Sequence, residues 1–132
     1  MGAVDNWIYA SPVIDHDGTI YVGTNRGTLH AVTANGTNLW SPPVQLDGDI
    51  LSTPALGAND LIYVGTSNTT NEGFVYALRL SGEIIRSDGW PTVVDGRLPS
   101  SPALHGSRWG GTLQLTQAHT QRTQASTQVV QV

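Results

Sequence analysis

Short apolar runs separated by glycine-bearing turns fill the first part of the chain. The runs are rich in β-branched and aromatic residues, and no stretch shows apolar spacing at three and four over a full helix length. Glycine lies between consecutive runs, where a turn needs a positive φ or tight hairpin geometry. The pattern predicts an all-β fold, whose first unit has strands at Pro12–Ile14, Ile20–Gly23, Leu29–Val32 and Asn38–Trp40.

This unit then repeats. The segment SPVIDHDGTIYVGT (11–24) matches TPALGANDLIYVGT (53–66) at an offset of 42 residues. The segment NRGTLHAVTANGTNLW (25–40) matches NEGFVYALRLSGEIIR (71–86) at an offset of 46, so four residues are inserted at a turn within SNTTNEG. A third copy opens at RLPSSPAL (97–104), where Pro102 follows Pro54 by 48 residues.

Four short strands in each unit of about 40 to 50 residues are typical of β-propeller blades. Because one blade is too small to bury both of its faces, successive blades are expected to shelter each other. Propellers close with about four to eight blades, so we expect an incomplete propeller that belongs to a longer one. Its predicted parts are a propeller region over residues 1–104, with blades at 11–42 and 53–91 and the start of a third blade at 97–104.

The repeat resembles that of PQQ-like (quinoprotein-like) β-propellers. SPVIDHDGTIYVGTNRGTLHAVTANGTNLW has the small residue before proline, the IYVG strand, the turn and the alanine-to-tryptophan phrase of that family. The resemblance covers residues 5 to 104. The segment SDGWPTVVDGRLPSSPAL also resembles the FG-GAP propeller repeats, which imply the same fold.

The resemblance implies a set of residues that dock one blade on the next. In that family a tryptophan stacks between blades, and an aromatic ring of this size contributes several kcal/mol when buried, at roughly 25 cal/mol per Å². In the second unit Arg86 stands where the tryptophan is expected, and we predict that Trp90 takes its packing role after a longer turn. The predicted docking residues are Ala31, Gly36, Trp40, Ala77, Gly82 and Trp90.

The composition changes after residue 104. Residues 105–132 have no Asp or Glu, and Gln stands at positions 114, 117, 121, 124, 128 and 131. Because GGTLQL echoes DGTIYV, this Gln/Thr-rich tail is predicted to be either a diverged strand or weakly ordered.

Composition also excludes several classes of partner and site. A formal charge of −4 with only 6 Lys and Arg provides no basic stripe for nucleic acid. No apolar run is long enough to cross a membrane, and MGAVDNWIYA has no signal-peptide pattern. No cysteine is present, which excludes disulfides and thiolate metal sites.

Catalytic and metal-binding motifs are sparse. Asp15 and Asp17 in DHDG have the spacing that begins a calcium loop, but a strand follows at once, so a hairpin turn is favoured over a metal site. No serine lies in a G-x-S-x-G elbow. We therefore assign no catalytic residue and no cofactor.

Two functional interpretations remain. The first is a non-catalytic propeller that serves as a scaffold or binding module of a bacterial envelope or secreted protein. The second is a fragment of a PQQ-dependent quinoprotein dehydrogenase, in which the resemblance implies quinone and calcium in the central channel. The expected partners are the remaining blades of a longer propeller or another protein, and open blade faces allow self-association. The resemblance implies a periplasmic or extracellular location.

Overall fold

The described residues of the computed structural model are 7–70, 72–95, 103–107, 110–118 and 125–131, and among them every regular element is a β-strand. The strands form two four-stranded antiparallel sheets and one three-stranded sheet. The prediction of an all-β, incomplete propeller is confirmed. The first sheet (blade 1) has β1 (Val13–Ile14), β2 (Ile20–Gly23), β3 (Thr28–Val32) and β4 (Val44–Gln45). The second sheet (blade 2) has β5 (Ala55–Leu56), β6 (Leu61–Ser67), β7 (Glu72–Arg79) and β8 (Thr92–Asp95).

The two blades have the same strand register. Tyr21 lies opposite Ala31 in blade 1, and Tyr63 lies opposite Ala77 in blade 2. The bridge from Val32 to Asn38 has its counterpart in the bridge from Leu78 to Ile84. The sequence offsets of 42 and 46 residues therefore relate residues that hold equivalent positions in the two sheets.

The fourth strand of blade 1 differs from the one expected at Asn38–Trp40. Only Asn38 pairs with the sheet, through a single bridge to Val32, while Trp40 is buried and leaves the sheet edge. The chain returns to the edge at β4, where Val44 lies opposite Leu29. The fourth strands β4 and β8 thus lie beyond residues 42 and 91, at which the sequence placed the ends of the blades.

The four inserted residues of blade 2 lengthen its central hairpin. In blade 1 the β2–β3 turn begins directly after the pair Gly23 and Leu29, and in blade 2 two further pairs follow Gly65 and Val75. The turn itself has the same form in both, since Thr24 N donates to Thr28 O and Asn68 N donates to Glu72 O, at 3.0 and 2.9 Å. The β6–β7 hairpin therefore projects further than its counterpart.

The blades pack face to face. One cluster of buried side chains joins both sheets, with Tyr21, Leu29 and Ala31 from blade 1 and Ile62, Val64 and Leu78 from blade 2. The linker between the blades adds two backbone hydrogen bonds, which Asp49 and Ser67 exchange at 2.8 and 3.0 Å. The main core of the described molecule is thus the interface between the blades.

A third sheet follows, with strand order β11, β10, β9. Its strands are β9 (Ala103–Ser107), β10 (Gly110–Ala118) and β11 (Ala125–Gln131). Residues 97–102 of the expected start of a third blade lie outside the described residues. Strand β9 begins at residue 103 and lies next to β5. The described backbone of the Gln/Thr-rich tail is extended and paired.

Candidate blade-docking site

Trp40 links the two blades directly. Leu39 N donates to Ala31 O at 2.8 Å, which holds the segment before the tryptophan against β3. The indole ring is 6% exposed and lies 5.5 Å from the Tyr21 ring, at an angle of 45°. Its Nε1–H donates to Leu80 O of blade 2 at 3.0 Å. Trp40 therefore belongs to blade 1 through its backbone and contacts blade 2 through its side chain.

Gly82 provides the surface on which the indole lies. A Cβ atom at this position would come within 3.2 Å of the Trp40 ring, and the φ of +94° is a conformation that favours glycine. Gly36 occupies the equivalent turn in blade 1 with a φ of +84°, but no atom of the described residues would lie within 4 Å of a Cβ there. The sequence placed both glycines in blade docking, and in this structure only Gly82 contacts a tryptophan.

Trp90 lies in the position in blade 2 that Trp40 has in blade 1. Its ring is 5.6 Å from Tyr63 at 46°, values nearly equal to those for the Tyr21 and Trp40 pair. Arg86 is exposed. The extra turn before Trp90, in which Trp90 N donates to Ser87 O at 3.1 Å, positions the ring four residues later than the alignment requires.

Ala31 and Ala77 are buried opposite the two tyrosines. Ala31 belongs to the cluster with Trp40, and Ala77 to a second cluster with Tyr63, against which Trp90 packs. The structure therefore brings Ala31, Trp40 and Gly82 together at the interface of the two blades. It places Ala77 and Trp90 on the far face of blade 2, and Gly36 apart from both groups.

The linker contributes a docking residue that the sequence analysis missed. Ile50 is 0% exposed, and a Cβ atom at Gly23 would lie 2.3 Å from its Cγ2. Only glycine on β2 leaves room for this isoleucine. The sequence has a signal for this contact, because both repeats have glycine at this position, Gly23 and Gly65, at the offset of 42. The repeated glycine does not show which side chain lies above Gly23.

Tyr76 also connects the linker to blade 2. Asp47 N donates to its hydroxyl oxygen at 3.3 Å, and the side chain is buried in the interface cluster. Burial raises the pKa of Tyr76 above its ordinary value of 10.0. The phenol therefore remains neutral through the physiological range and acts as a packing and hydrogen-bonding group.

Asp15 closes the β1–β2 turn. Its Oδ1 accepts hydrogen bonds from Asp17 N and Thr19 N, both at 2.9 Å, and its Oδ2 accepts one from the Tyr21 hydroxyl at 2.8 Å. Burial, the largest influence, opposes ionisation, but these hydrogen bonds together lower the pKa of the Asp15 carboxyl below 3.8. Both carboxylate oxygens of Asp15 thus accept hydrogen bonds that stabilise the turn.

Asp17 does not converge with Asp15 on a common point. Its carboxylate lies on the surface, 3.5 Å from His16 Nε2, whereas its backbone N–H binds Asp15. In the part of the chain that the structure describes, no three metal-ligating side chains form a group. The same part has no helix that could cross a membrane.

No protein-family model matches the sequence, and the search of curated proteins finds no match. Solved structures do resemble the fold, and BamB from Moraxella catarrhalis is one of them, with a TM-score of 0.59 and 18% sequence identity. The match covers 92% of this chain and 36% of the BamB chain. This chain therefore spans little more than a third of that propeller, and the likeness establishes a shared fold.

Proposed function

We propose that this chain is part of a non-catalytic PQQ-like β-propeller that serves as a scaffold for protein binding in a bacterial envelope or secreted protein. The observation that carries the proposal is that the side chains singled out from the sequence make contacts that stabilise the blades. Trp40 and Ile50 join the blades, and Asp15, which the sequence offered as a candidate metal ligand, closes a turn. The repeat residues thus build a frame, which leaves the turns at the ends of the blades to contact a partner.

The extended β6–β7 hairpin is the described turn best placed for that contact. It projects two residue pairs beyond the β2–β3 hairpin, and Asn68 Oδ1 fixes its tip by accepting hydrogen bonds from Thr70 N and Glu72 N at 3.0 and 2.9 Å. A pre-organised turn loses little conformational entropy when it binds. We therefore place the partner-binding surface at the end of the blades that bears this turn.

Site-specific crosslinking tests this assignment. Thr69→Cys at the tip of the hairpin can be labelled with a photoreactive maleimide in the full-length parent protein, in which any cysteine outside residues 1–132 is first replaced by serine; these 132 residues have none. Ala58→Cys is the matched control, because it is also exposed but lies in the β5–β6 turn at the opposite end of blade 2. We expect Thr69→Cys to capture one discrete protein that forms a stable complex when purified. Equal capture by Ala58→Cys would contradict the assignment.

An activity assay separates the scaffold from the dehydrogenase alternative. The parent protein is incubated with pyrroloquinoline quinone and Ca²⁺, and dye-linked oxidation of primary alcohols is recorded. We expect no turnover above the rate of quinone and Ca²⁺ alone. Sustained turnover that requires the protein would reject the scaffold and support a quinoprotein dehydrogenase.

A further inference from the structure

Asn35 is the only asparagine of the sequence that is followed directly by glycine. The backbone nitrogen that follows an asparagine can attack the side-chain amide carbon, and a glycine at that position has no side chain to obstruct the attack. The pair lies in the turn of residues 33–37, which joins β3 to the bridge at Asn38. One turn of blade 1 therefore places a nucleophile beside the amide with which it can react.

The side chain of Asn35 is free to react. Asn35 and Gly36 are both exposed, and the Asn35 amide makes no hydrogen bond within the described residues. No atom of the described residues would lie within 4 Å of a Cβ at Gly36, so a five-membered ring can form there without a clash. Asn25 and Asn68 differ, because each uses its Oδ1 to accept backbone hydrogen bonds.

The hydrogen bonds of the closed turn oppose the reaction. Gly36 N, the attacking atom, donates to Thr33 O at 2.9 Å, and Thr33 N donates to Thr37 O at 2.8 Å. The threonine side chains strengthen this closure, since their Oγ1 atoms lie 2.7 Å apart and Thr37 N donates to Thr33 Oγ1 at 3.2 Å. Gly36 N is available for attack only after its own hydrogen bond breaks, so the reaction requires local opening of the turn.

The equivalent turn of blade 2 has the same backbone without the reactive pair. Gly82 N donates to Arg79 O at 2.9 Å, the distance found for Gly36. Ser81 precedes Gly82, so the turn offers no amide, and a Cβ at Gly82 would lie 3.2 Å from the Trp40 ring. The exposed amide and the open space beside the glycine thus occur together in the turn of blade 1.

We propose that Asn35 is a site of spontaneous deamidation whose rate is set by the opening of the turn of residues 33–37. In the opened turn Gly36 N attacks Asn35 Cγ, so that the N–Cγ bond forms and the Cγ–Nδ2 bond breaks. The proton of Gly36 N and the departing amino group leave together as ammonia. Water then adds to one of the two carbonyl carbons of the resulting succinimide, and the bond from that carbon to the ring nitrogen breaks. The products are aspartate and isoaspartate, and water is the only co-reactant.

This modification adds a carboxylate to the turn, and the isoaspartate product also adds a methylene group to the backbone. The longer backbone is expected to break the hydrogen bond from Gly36 N to Thr33 O. The turn lies at the end of blade 1 opposite to the β2–β3 turn, so the inference is independent of the partner-binding surface proposed above.

Peptide mapping by mass spectrometry tests the site in the full chain. The purified chain is incubated at neutral pH and physiological temperature, in native buffer and in guanidinium chloride. We expect Asn35 to convert before any other asparagine, with both aspartate and isoaspartate as products. We also expect conversion in native buffer to be slower about tenfold or more than in the denatured chain, because the folded turn is open only a small fraction of the time.

Thr37→Val tests the control of the rate by the turn. It removes the hydroxyl contact with Thr33 and leaves Asn35 and Gly36 in place. We expect deamidation in native buffer to become about fivefold faster, the change in open population that one lost hydrogen bond produces. The rate in guanidinium chloride should not change. Thr69→Val is the matched control, because it alters an exposed threonine in another turn and should leave both rates unchanged.

A second measurement needs no variant. Hydrogen exchange of the Gly36 amide in the unmodified chain reports the opening of the same turn, and low concentrations of denaturant that speed this exchange should speed deamidation in proportion. Faster conversion at another asparagine, or an intact Asn35 in native buffer after the denatured chain has fully converted, would overturn the site. Equal rates in native and denatured chains, or deamidation that does not follow Gly36 exchange, would overturn its control by the turn.

Discussion

At the scale of single residues, the same pattern of side-chain to backbone hydrogen bonds recurs at three turns of the molecule. The side-chain oxygens of Asp15, Thr24 and Asn68 each accept hydrogen bonds from the backbone N–H groups two and four residues later. Such local bonds replace ladder bonds where the strand ends and fix the hairpin geometry. The polar side chains of these turns therefore stabilise the fold.

We predict that Asp15→Ala lowers the free energy of unfolding by about 1–2 kcal/mol, because two N–H groups and the Tyr21 hydroxyl lose their acceptor. Asp17→Ala is the control and should change it little, since the Asp17 carboxylate is on the surface. Urea denaturation measures both. Similar losses in the two variants would show that Asp15 does not close the turn as described.

The contribution of Asp15 should depend on pH. A carboxyl whose pKa is lowered on folding adds stability that is complete above its ordinary value of 3.8 and is lost as the pH falls through the lower, folded pKa. We therefore expect the difference between the wild-type chain and Asp15→Ala to be constant near neutrality and to shrink below pH 3.8. A difference that grows on acidification would contradict the hydrogen bonds assigned to the ionised carboxylate.

Thr66 and Thr24 are repeat equivalents with opposite surroundings. Thr66 Oγ1 is buried and has no hydrogen-bond partner among the described residues, whereas Thr24 Oγ1 accepts from Arg26 N and Thr28 N at 3.3 and 3.4 Å. A buried unpaired hydroxyl is unfavourable, so we expect Thr66→Val to leave the free energy of unfolding unchanged or to raise it by up to about 1 kcal/mol. Thr24→Val should lower it. Equal losses in urea denaturation would reveal a partner for Thr66.

At the scale of elements, each blade is a small sheet that becomes stable by packing against another sheet. The alternation along β2 and β3 turns Tyr21, Leu29 and Ala31 towards blade 2, and the longer β6 and β7 are buried on both faces. A strand that is buried on both faces needs apolar residues at consecutive positions, and β6 has them at Ile62, Tyr63 and Val64. Blade 2 thus differs in burial from blade 1, although their registers agree.

Paired substitutions at the two equivalent glycines measure the docking of Trp40. Gly82→Leu and Gly36→Leu both place a side chain at positive φ, which costs about 1–2 kcal/mol. Gly82→Leu must in addition displace the indole that lies 3.2 Å from its would-be Cβ. We expect the larger loss of stability and a red shift of tryptophan emission for Gly82→Leu alone. Identical behaviour of the two variants in urea denaturation and fluorescence would contradict the contact.

At the scale of the whole molecule, burial rises from the open face of blade 1 towards blade 2. Strands β6 and β7 are buried on both faces, while the outer face of β2 and β3 is partly exposed. Because amide exchange reports local opening, we predict that the amides of β6 and β7 exchange most slowly and those of β2 and β3 faster. Mass spectrometry after deuterium labelling measures this order. A reversed order would show that blade 1 is not the less covered sheet.

The sequence by itself determined the fold class and which positions of the two blades are equivalent. Internal repetition carries this information, because equivalent residues such as Tyr21 and Tyr63 recur at fixed offsets and strand alternation assigns them to the same face. The sequence also predicted that Trp90, after a longer turn, takes the packing role expected at the position of Arg86. In the structure the Trp90 ring lies on Tyr63 as the Trp40 ring lies on Tyr21.

Only the tertiary structure decided which equivalent positions are in contact with a neighbour. Gly36 and Gly82 have the same turn and the same sign of φ, but an indole lies on one of them. The same holds for Ile8 and Ile50, of which one is exposed and the other is buried over Gly23. The physical reason is that local sequence sets the backbone and the face of a side chain, whereas burial depends on a second sheet brought there by the rest of the chain.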